Sequence, residues 1–451
     1  MRSILEAALT ASAGDYRTIR FQRAWRTQIS FRDGAQEFAC QSEDEEGVVR
    51  CLGRGGTWAS VAFGAPSEAR QAARQAAELS LLRLGRPPAD PPPIAPREAA
   101  FSCDRAHDPR GLRPAATRSL LQALGARLTA DRRVIHTRIR YEHRLDETWL
   151  LTSDGLALRE ERPEISIAAL VVVAADGSLA RAADSFASPG DWQDIELWAS
   201  ETGRLPERAV ARLHAAALRP GRYPVVLAPC FAGVLAHRAI GHGCLASSSL
   251  EDPPLALGTR IGREHLDAGD DGTVPGLRGT LAFDHEGTEP RHTVLLRHGG
   301  IVEHLHTRAS ALAAGVAPTG NARADGAGLP GARLANTYIA NGQGSLEDLL
   351  RGMASGVYLS GPESAVHDHG RLVIRAGGAR MIRGGELAEP LKSAELAGDP
   401  AGLLGRVDAV AGDFQWDRSA SRCEDRTGRP VPVTTGAPHL RLVDVPLGRP
   451  L

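Results

Sequence analysis

Hydrophobic and polar residues alternate over many short stretches in the first half of the chain, and turn sequences separate several of them. Residues 27–31 and 36–40 alternate on either side of Arg-Asp-Gly-Ala, and residues 165–173 and 179–186 flank Ala-Asp-Gly. Such pairs are typical of β-hairpins, because aspartate and glycine readily adopt the backbone angles of tight turns. Residues 114–128 place hydrophobic side chains at helical spacing instead. This half is therefore predicted to combine helices with antiparallel hairpins.

The second half has a different order of elements. A strand is predicted at residues 223–228, and a helix follows that begins at Pro229 and runs into a pair of histidines. Beyond this helix the pattern is mostly β. Hairpins are predicted around His-Gly-Gly at 298–300 and around Ala-Gly-Gly at 376–378, since both sequences separate alternating segments.

The fold class expected from this order is α+β with two domains. A chain of 451 residues is long for a single hydrophobic core. A helix predicted at residues 206–218 is followed by Pro-Gly, and we place the boundary there, which divides the chain into residues 1–220 and 221–451. The first is expected to be a mixed α/β domain with antiparallel hairpins. The second is expected to be an antiparallel β-rich domain that carries the helix with the histidines.

Composition excludes several classes of function. The net charge of −1 provides no field that attracts nucleic acid. The longest apolar run, residues 167–175, is too short to span a bilayer. Residues 1–14 lack the pattern of a signal peptide, so we expect a cytoplasmic protein that binds neither membrane nor nucleic acid. The six cysteines are scattered, which in such a protein favours free thiols or a metal ligand over disulfides.

The most informative chemistry lies in the histidine pair, His237 and His242. Histidine is the commonest metal ligand, and two on one short segment reach the same ion at little entropic cost. In a regular α-helix, however, side chains five positions apart point about 140° away from each other. The helix must therefore end, bulge or kink near Gly241 if both rings are to face one ion.

The segment His-Arg-Ala-Ile-Gly-His resembles the His-Glu-x-x-x-His motif of the TldD/PmbA family. The resemblance extends over nearly the whole second half and parts of the first. It also includes a C-terminal pattern in which Cys423 precedes a Pro-Val-Pro-Val-Thr-Thr-Gly-Ala-Pro sequence. Further segments similar to family blocks occur in the expected order at residues 270–276, 283–288, 318–323 and 333–338.

The resemblance implies a zinc metallopeptidase that processes peptides, as members implicated in microcin maturation do. It implies that His237, His242 and Cys423 hold the metal. Two imidazoles and one thiolate also form a three-ligand tetrahedral site for Zn²⁺ with one open position. Family members commonly pair with a subunit that lacks the motif, so a homodimer or a heterodimer with a TldD/TldE-type subunit is expected.

The sequence departs from the family motif at one position, where Arg238 replaces the glutamate. That glutamate accepts a proton from the attacking water and passes it to the leaving amine. Arginine cannot do this, because its guanidinium stays charged. One hypothesis is that another acid acts as the base. Glu251, nine positions beyond His242, is the preferred candidate, and the others are residues 252, 284 and 286.

Two further hypotheses explain the arginine differently. Arg238 could hold a carboxylate or polarise a carbonyl of the substrate, with the metal acting as a Lewis acid in a rearrangement or cyclisation. Alternatively, the chain is a catalytically impaired partner subunit that scaffolds or binds peptide in a TldD/TldE-type heterodimer. The retained ligands favour the first-choice function, which is metal-dependent processing of an unfolded peptide or a natural-product precursor peptide, by proteolysis or related amide-bond chemistry.

Several residues have simpler interpretations. Cys244 lies close to His242, yet a buried, idle thiol is expected there rather than a ligand. The histidines at 285, 292, 298, 304 and 306 are expected to be solvated hairpin residues. Arg238 itself could form an ion pair with a nearby acid, which would leave the reactivity of the metal unchanged.

Overall fold

The first half of the chain folds around a seven-stranded, mostly antiparallel sheet. The computed structural model describes residues 1–11, 16–53, 57–82, 94–104, 108, 110, 114–190, 192–246, 255–424 and 429–447. The strands of this sheet are β1 Tyr16–Arg32, β2 Ala35–Leu52, β3 Trp58–Phe63, β4 Arg97–Phe101, β5 Val134–Thr152, β6 Leu156–Ala175 and β7 Ser178–Ser188. Their order is β3-β2-β1-β5-β6-β4, and β7 pairs with β6.

The predicted hairpins of this half are confirmed. Asp33 and Gly34 have φ of 50° and 81° at the β1–β2 turn, and Asp176 and Gly177 have 48° and 72° at the β6–β7 turn. The predicted hairpin arm at residues 165–173 is the end of a much longer strand, β6, which pairs along β5. Pro163 lies within β6, between the end of pairing with β4 at Glu160 and the start of pairing with β7 at Ile165. One side of β6 is thus unpaired around this proline, a sheet position that tolerates it.

Among the described residues of this half, five α-helices pack against the sheet in two hydrophobic clusters. They are α1 Arg2–Thr10, α2 Ala69–Ser80, α3 Pro114–Leu128, α4 Trp192–Thr202 and α5 Leu205–Leu213. The helix predicted at 114–128 is confirmed at both ends. The one predicted at 206–218 ends at Leu213, and α4 was not predicted. Within the described residues, no helix is long and apolar enough to cross a membrane.

In the part of the second half that the structure describes there are two larger sheets and four further α-helices. The helices are α6 Pro229–Leu235, α7 Arg308–Ala314, α8 Leu346–Leu350 and α9 Pro400–Gly405. The strands are β8 Gly221–Leu227, β9 Leu245–Ala246, β10 Ala268–Asp271, β11 His292–Arg297, β12 Gly300–Ile301, β13 Leu305–His306, β14 Ala322–Arg323, β15 Gly331–Ala332, β16 Asn336–Ile339, β17 Ser355–Asp368, β18 Arg371–Arg383, β19 Glu386–Leu391, β20 Ala394–Gly398, β21 Val407–Val410, β22 Gln415–Asp417, β23 Arg422–Glu424, β24 Pro430–Pro432, β25 Thr434–Ala437 and β26 Leu440–Leu447.

Helix α6 lies between these two sheets. One sheet has the order β17-β8-β26-β20-β18-β19, with β21 on β26, and the other has the order β12-β11-β10-β16-β25-β22. Side chains from both sheets share one core with α6, including Val225, Leu235, Leu296 and Val357. The helix that leads to the histidines is therefore held on both sides by apolar packing. The α+β, two-domain prediction is confirmed.

The hairpin predicted around residues 376–378 is wrong, because these residues continue the long strand β18, which pairs along β17. A Cβ atom on Gly377 would lie 2.6 Å from the carbonyl oxygen of Gly361. This glycine therefore permits close approach of two strands and does not form a turn. The hairpin around residues 298–300 is confirmed in a short form, with pairing of Leu296 with Ile301 and of Arg297 with Gly300.

Candidate metal centre

The helix that carries the histidines changes its pitch at the site. After α6, residues Ala236–Gly241 form a π-helical segment, and His242–Cys244 form a 3₁₀ turn. A π-helix bonds each residue to the fifth along the chain, so side chains five positions apart come to the same face. The bulge predicted from the spacing of the histidines is confirmed. A Cβ atom on Gly241 would lie 2.8 Å from Leu334, so this wide turn packs closely against its neighbour.

The structure brings together the three predicted metal ligands. One candidate donor atom from each of His237, His242 and Cys423 lies within 4.8 Å of the others. The Cys423 Sγ is 3.5 Å from His242 Nε2, and the two imidazole centroids are 5.0 Å apart with a 73° angle between their planes. His237 and Cys423 are buried, at 5% and 1% exposure. Two nitrogens and one sulfur are thus close enough together to bind a single ion.

The electrostatic environment keeps both imidazoles neutral. Burial, reinforced by the charge of Arg238, lowers the pKa of His242 to about 3, and burial holds the pKa of His237 well below its ordinary value. Neutral imidazole is the form that binds metals. The Nδ1 atom of His237 is buried and has no hydrogen-bond partner among the described residues. An unpartnered buried nitrogen beside a thiol and a second imidazole fits a zinc site of two histidines and one cysteine.

Cys423 reaches the site on the short strand β23, which pairs with β24 through Cys423 and Val431. Arg333 donates a hydrogen bond to the carbonyl oxygen of Cys423. The neighbouring Arg422 donates to Glu164 of β6 at 2.6 Å, and Glu164 also accepts from Arg278 at 3.1 Å. The thiol is therefore positioned by contacts that join the cysteine strand to the N-terminal sheet.

This ion-pair cluster yields a prediction about stability. Burial alone would raise the pKa of Glu164, but the charges of Arg278 and Arg422 outweigh it and lower the pKa to about 2. A depressed carboxyl pKa stabilises the fold above the unfolded value of about 4.5, and this contribution is lost as the pH falls towards 2. Glu164→Gln leaves Arg278 buried without a countercharge, and should reduce the free energy of unfolding by about 3–5 kcal/mol at pH 7.

Urea unfolding at pH 7 and pH 3 measures this effect, and the difference between wild type and Glu164→Gln should shrink at pH 3. Glu389→Gln is the matched control, because its ion pair with Arg383 is exposed and screened by solvent, so its loss should change the free energy of unfolding little. Equal effects of the two substitutions at pH 7 would contradict the prediction.

A cleft of about 790 Å³ opens beside the histidines, and both His237 and Arg238 line it. Arg238 forms no hydrogen bond and no ion pair with any described residue. Two of the three described acids that line the cleft form ion pairs with other arginines. Glu363 pairs with Arg181 at 2.9 Å, and Asp184 pairs with Arg208 at 3.1 Å. The ion pair considered for Arg238 therefore has no partner in the described chain, and its charge faces the cleft.

Of the other candidate bases, two lie outside the described residues and two are engaged away from the three donors. Glu251, and Asp252 beside it, lie outside the described residues. Asp284 has a role in turn structure, because its carboxylate accepts hydrogen bonds from the backbone N–H groups of residues 286, 288 and 322. Glu286 accepts a hydrogen bond from the backbone N–H of Arg308 and lines a separate cavity.

Of the simpler interpretations, the structure agrees with the one for Cys244 and disagrees with the one for His306. Cys244 is fully buried in the apolar core, and burial raises the pKa of its thiol to about 12, in keeping with an idle cysteine. The expectation of solvated histidines is wrong for His306, which is buried and lies 3.2 Å from the hydroxyl of Ser310. His285 accepts a hydrogen bond from the backbone N–H of Ala324.

One acid at the cleft was not found from the sequence. Asp417, at the end of β22, lines the same cleft as His237. It accepts hydrogen bonds from the backbone N–H and the hydroxyl of Ser419, and burial raises the pKa of its carboxyl. Its position six residues before Cys423 is the only sequence signal that could have identified it.

Comparison with known proteins relates both halves of the chain to one family. Residues 220–448 match the model of the PmbA/TldA metallopeptidase C-terminal domain, and residues 107–216 match that of the central domain. The chain is 30% identical over 446 residues to a metalloprotease of Synechocystis, covering 97% of this chain and 95% of the relative. It is also 30% identical over 250 residues to a zinc metalloprotease TldD homolog of Saccharolobus solfataricus, covering 54% and 55% of the two chains.

A solved structure agrees in fold. The chain superposes on TldE from Thermococcus kodakarensis with a TM-score of 0.74 and 18% sequence identity, covering 99% of both chains. At this identity the likeness concerns the fold alone.

Proposed function

The chain belongs to the PmbA/TldD metallopeptidase family, and from this premise we propose that it processes amide bonds of unfolded peptides in a metal-dependent reaction. His237, His242 and Cys423 are the proposed ligands of Zn²⁺. The observation that carries the proposal is the convergence of these three donors within 4.8 Å at the wall of a cleft. A bound zinc ion would supply Lewis acidity towards a substrate carbonyl.

Residues of the chain itself are proposed to bind the substrate and to transfer the proton. Arg238 has a charge that faces the cleft, and it is proposed to hold a carboxylate or the carbonyl oxygen of the substrate. Asp417 is proposed to accept and return a proton, because a carboxyl with a raised pKa in a cleft suits general acid–base catalysis. Glu251 remains a second candidate for that role.

The sheet beside the cleft suits an extended substrate. Among the described strands β7 pairs with β6 alone, apart from a backbone hydrogen bond from Ala187 to Arg418, and its residues Ala183, Asp184 and Ser185 line the cleft. An unfolded peptide could add to such a free edge through main-chain hydrogen bonds, with little dependence on its sequence. This supports an unfolded peptide, including a natural-product precursor peptide, as the substrate class.

Metal content and activity test the proposal together. The purified protein should contain about one zinc ion per chain and process an unfolded peptide. Removal of the metal by a chelator should abolish processing, and added zinc should restore it. Mass spectrometry of the products separates cleavage from a rearrangement of unchanged mass. Absence of bound metal in the wild-type protein would exclude the enzymatic proposal.

The arginine at the glutamate position favours a second candidate, a catalytically impaired subunit that binds peptide within a TldD/TldE-type heterodimer. The three retained metal-donor residues disfavour this candidate, because a subunit without catalytic activity does not need a complete set of metal ligands. Co-expression with a TldD-type chain and affinity capture distinguish the two candidates. A scaffold should be active only with its mate, whereas an enzyme that acts by itself, as a monomer or homodimer, should not need it.

A further inference from the structure

The sheet of the N-terminal half presents one of its faces to the cleft at the candidate metal centre. Arg140 on β5, Ala168 on β6 and Ser185 on β7 lie directly opposite one another across the three strands, and all three line the cleft. Residues that lie directly opposite in a sheet point to the same face. The intervening positions, such as Ile139 and Ala169, are buried against the helices on the other face. The sheet therefore forms one wall of the cleft, where a substrate would contact it.

Arginines outnumber acids in the lining of this cleft. The described lining has three acids and six arginines, and the arginines are Arg138, Arg140, Arg181, Arg208, Arg238 and Arg422. Four of the six have a carboxylate partner. Arg181 and Arg208 pair with two of the lining acids. Arg422 pairs with Glu164, and Arg138 lies 3.7 Å from Glu37.

Arg140 is a cation that the fold leaves exposed on the sheet face of the cleft. It forms no hydrogen bond and no ion pair with any described residue. In an open cleft, water hydrates such a guanidinium. A substrate that covers it removes this hydration, which costs free energy unless the substrate supplies a carboxylate in its place. Ala168 and Ser185 beside it are small, so they leave the guanidinium accessible from the cleft.

We propose that Arg140 selects acidic peptides by binding a carboxylate of the substrate, from an aspartate or glutamate side chain or from the C-terminus. The inference rests on the proposed peptide-processing function and names its substrate class. Main-chain pairing with the edge of β7 depends little on sequence, so Arg140 supplies a preference that this pairing lacks. The carboxylate belongs to the part of the substrate that lies over the sheet face. Arg140 is therefore a specificity-determining residue.

Binding of labelled unfolded peptides to the full-length protein, measured by fluorescence anisotropy, tests this inference. One peptide carries glutamates, its counterpart carries glutamines at the same positions, and each is made with a free and with an amidated C-terminus. The wild-type protein should bind a charged form about three- to tenfold more tightly than its neutral counterpart, and this ratio should fall as salt is added. A preference for glutamate identifies side chains as the source of the carboxylate, and a preference for the free end identifies the C-terminus. If a peptide is processed during the measurement, the ratio of kcat/KM values gives the preference instead.

Two substitutions assign the preference to this residue. Arg140→Met should weaken binding of the charged peptide to the level of the neutral one, and Arg140→Glu should reverse the preference. Arg181→Met is the matched control, because Arg181 is an exposed cation of the same cleft that pairs with Glu363 at 2.9 Å. Its removal leaves Glu363 paired with Arg212 at 3.3 Å, so the preference should persist.

Equal binding of charged and neutral peptides by the wild-type protein would overturn the inference, and this comparison needs no variant to fold. So would a preference that Arg140→Met retains, or one that Arg181→Met loses to the same extent. Failure of the proposed function gives a different result. A protein that holds no zinc and processes no peptide, yet prefers carboxylates through Arg140, would contradict that function alone. A protein that processes peptides regardless of their charge would contradict the present inference alone.

Discussion

Replacement of Cys423 by serine should reduce bound zinc from about one ion per chain to less than about a tenth of that, and peptide processing should disappear with it. Loss of a partner that only orients a ligand typically costs about 10–100-fold in metal affinity or activity, and loss of the thiolate itself should cost more. Serine preserves the shape of the side chain but is a much poorer zinc ligand. Metal analysis after gel filtration, together with a peptide assay, measures both effects.

The control for this experiment is Cys244→Ser. Cys244 lies two positions beyond His242, and it is fully buried, as Cys423 nearly is. It is not one of the three grouped donors, so this variant should retain zinc and activity apart from a modest loss of stability. Zinc loss in both variants would show that the effect is structural, and full zinc retention in Cys423→Ser would refute the ligand assignment.

Replacement of Arg238 should separate substrate binding from metal binding. Arg238→Met should retain zinc, because the arginine does not belong to the three donors, yet kcat/KM for peptide processing should fall by about 10–100-fold. Arg238→Glu should also lose activity, since a carboxylate at this position would repel the substrate group that the arginine holds. Zinc analysis and steady-state kinetics on the same unfolded peptide measure these effects.

Two further variants define the role of this charge. Arg238→Lys retains the charge but not the paired donors, and should be intermediate. Arg208→Met removes a cation from the same cleft, but one that is already neutralised by Asp184 at 3.1 Å, so its effect should be small. A gain of peptide cleavage in Arg238→Glu would show that the chain lacks only its base, and would favour the impaired-subunit candidate.

The local features of this protein could be predicted from its sequence, whereas its long-range contacts could not. Turns such as Asp33-Gly34 and the helix Pro114–Leu128 depend on residues next to each other in the chain. The distortion between His237 and His242 could be predicted too, because their spacing is incompatible with one face of an α-helix. The identity of the third donor, Cys423, came from family resemblance.

The errors have a common physical origin. Gly377 and Gly378 were predicted to form a turn, but they continue a strand because the partner strand approaches closely there. The ion pair between Glu164 and Arg422 joins residues far apart in the chain, and so does the cleft that both Arg140 and His237 line. No local sequence pattern predicts such contacts, because they depend on how the two halves of the chain pack together.

The distance along the chain between His242 and Cys423 has a consequence for how the protein depends on its surroundings. In the proposed zinc site, an ion shared by these residues would be a cross-link that closes a loop of 181 positions. The unfolded chain cannot keep such remote donors together, so the ion binds the native state preferentially and shifts the folding equilibrium by mass action. Above saturation, each tenfold rise in free zinc adds about 1.4 kcal/mol to the free energy of unfolding. Under the proposed ligand assignment, the metal supply should therefore set the stability of the protein as well as its activity.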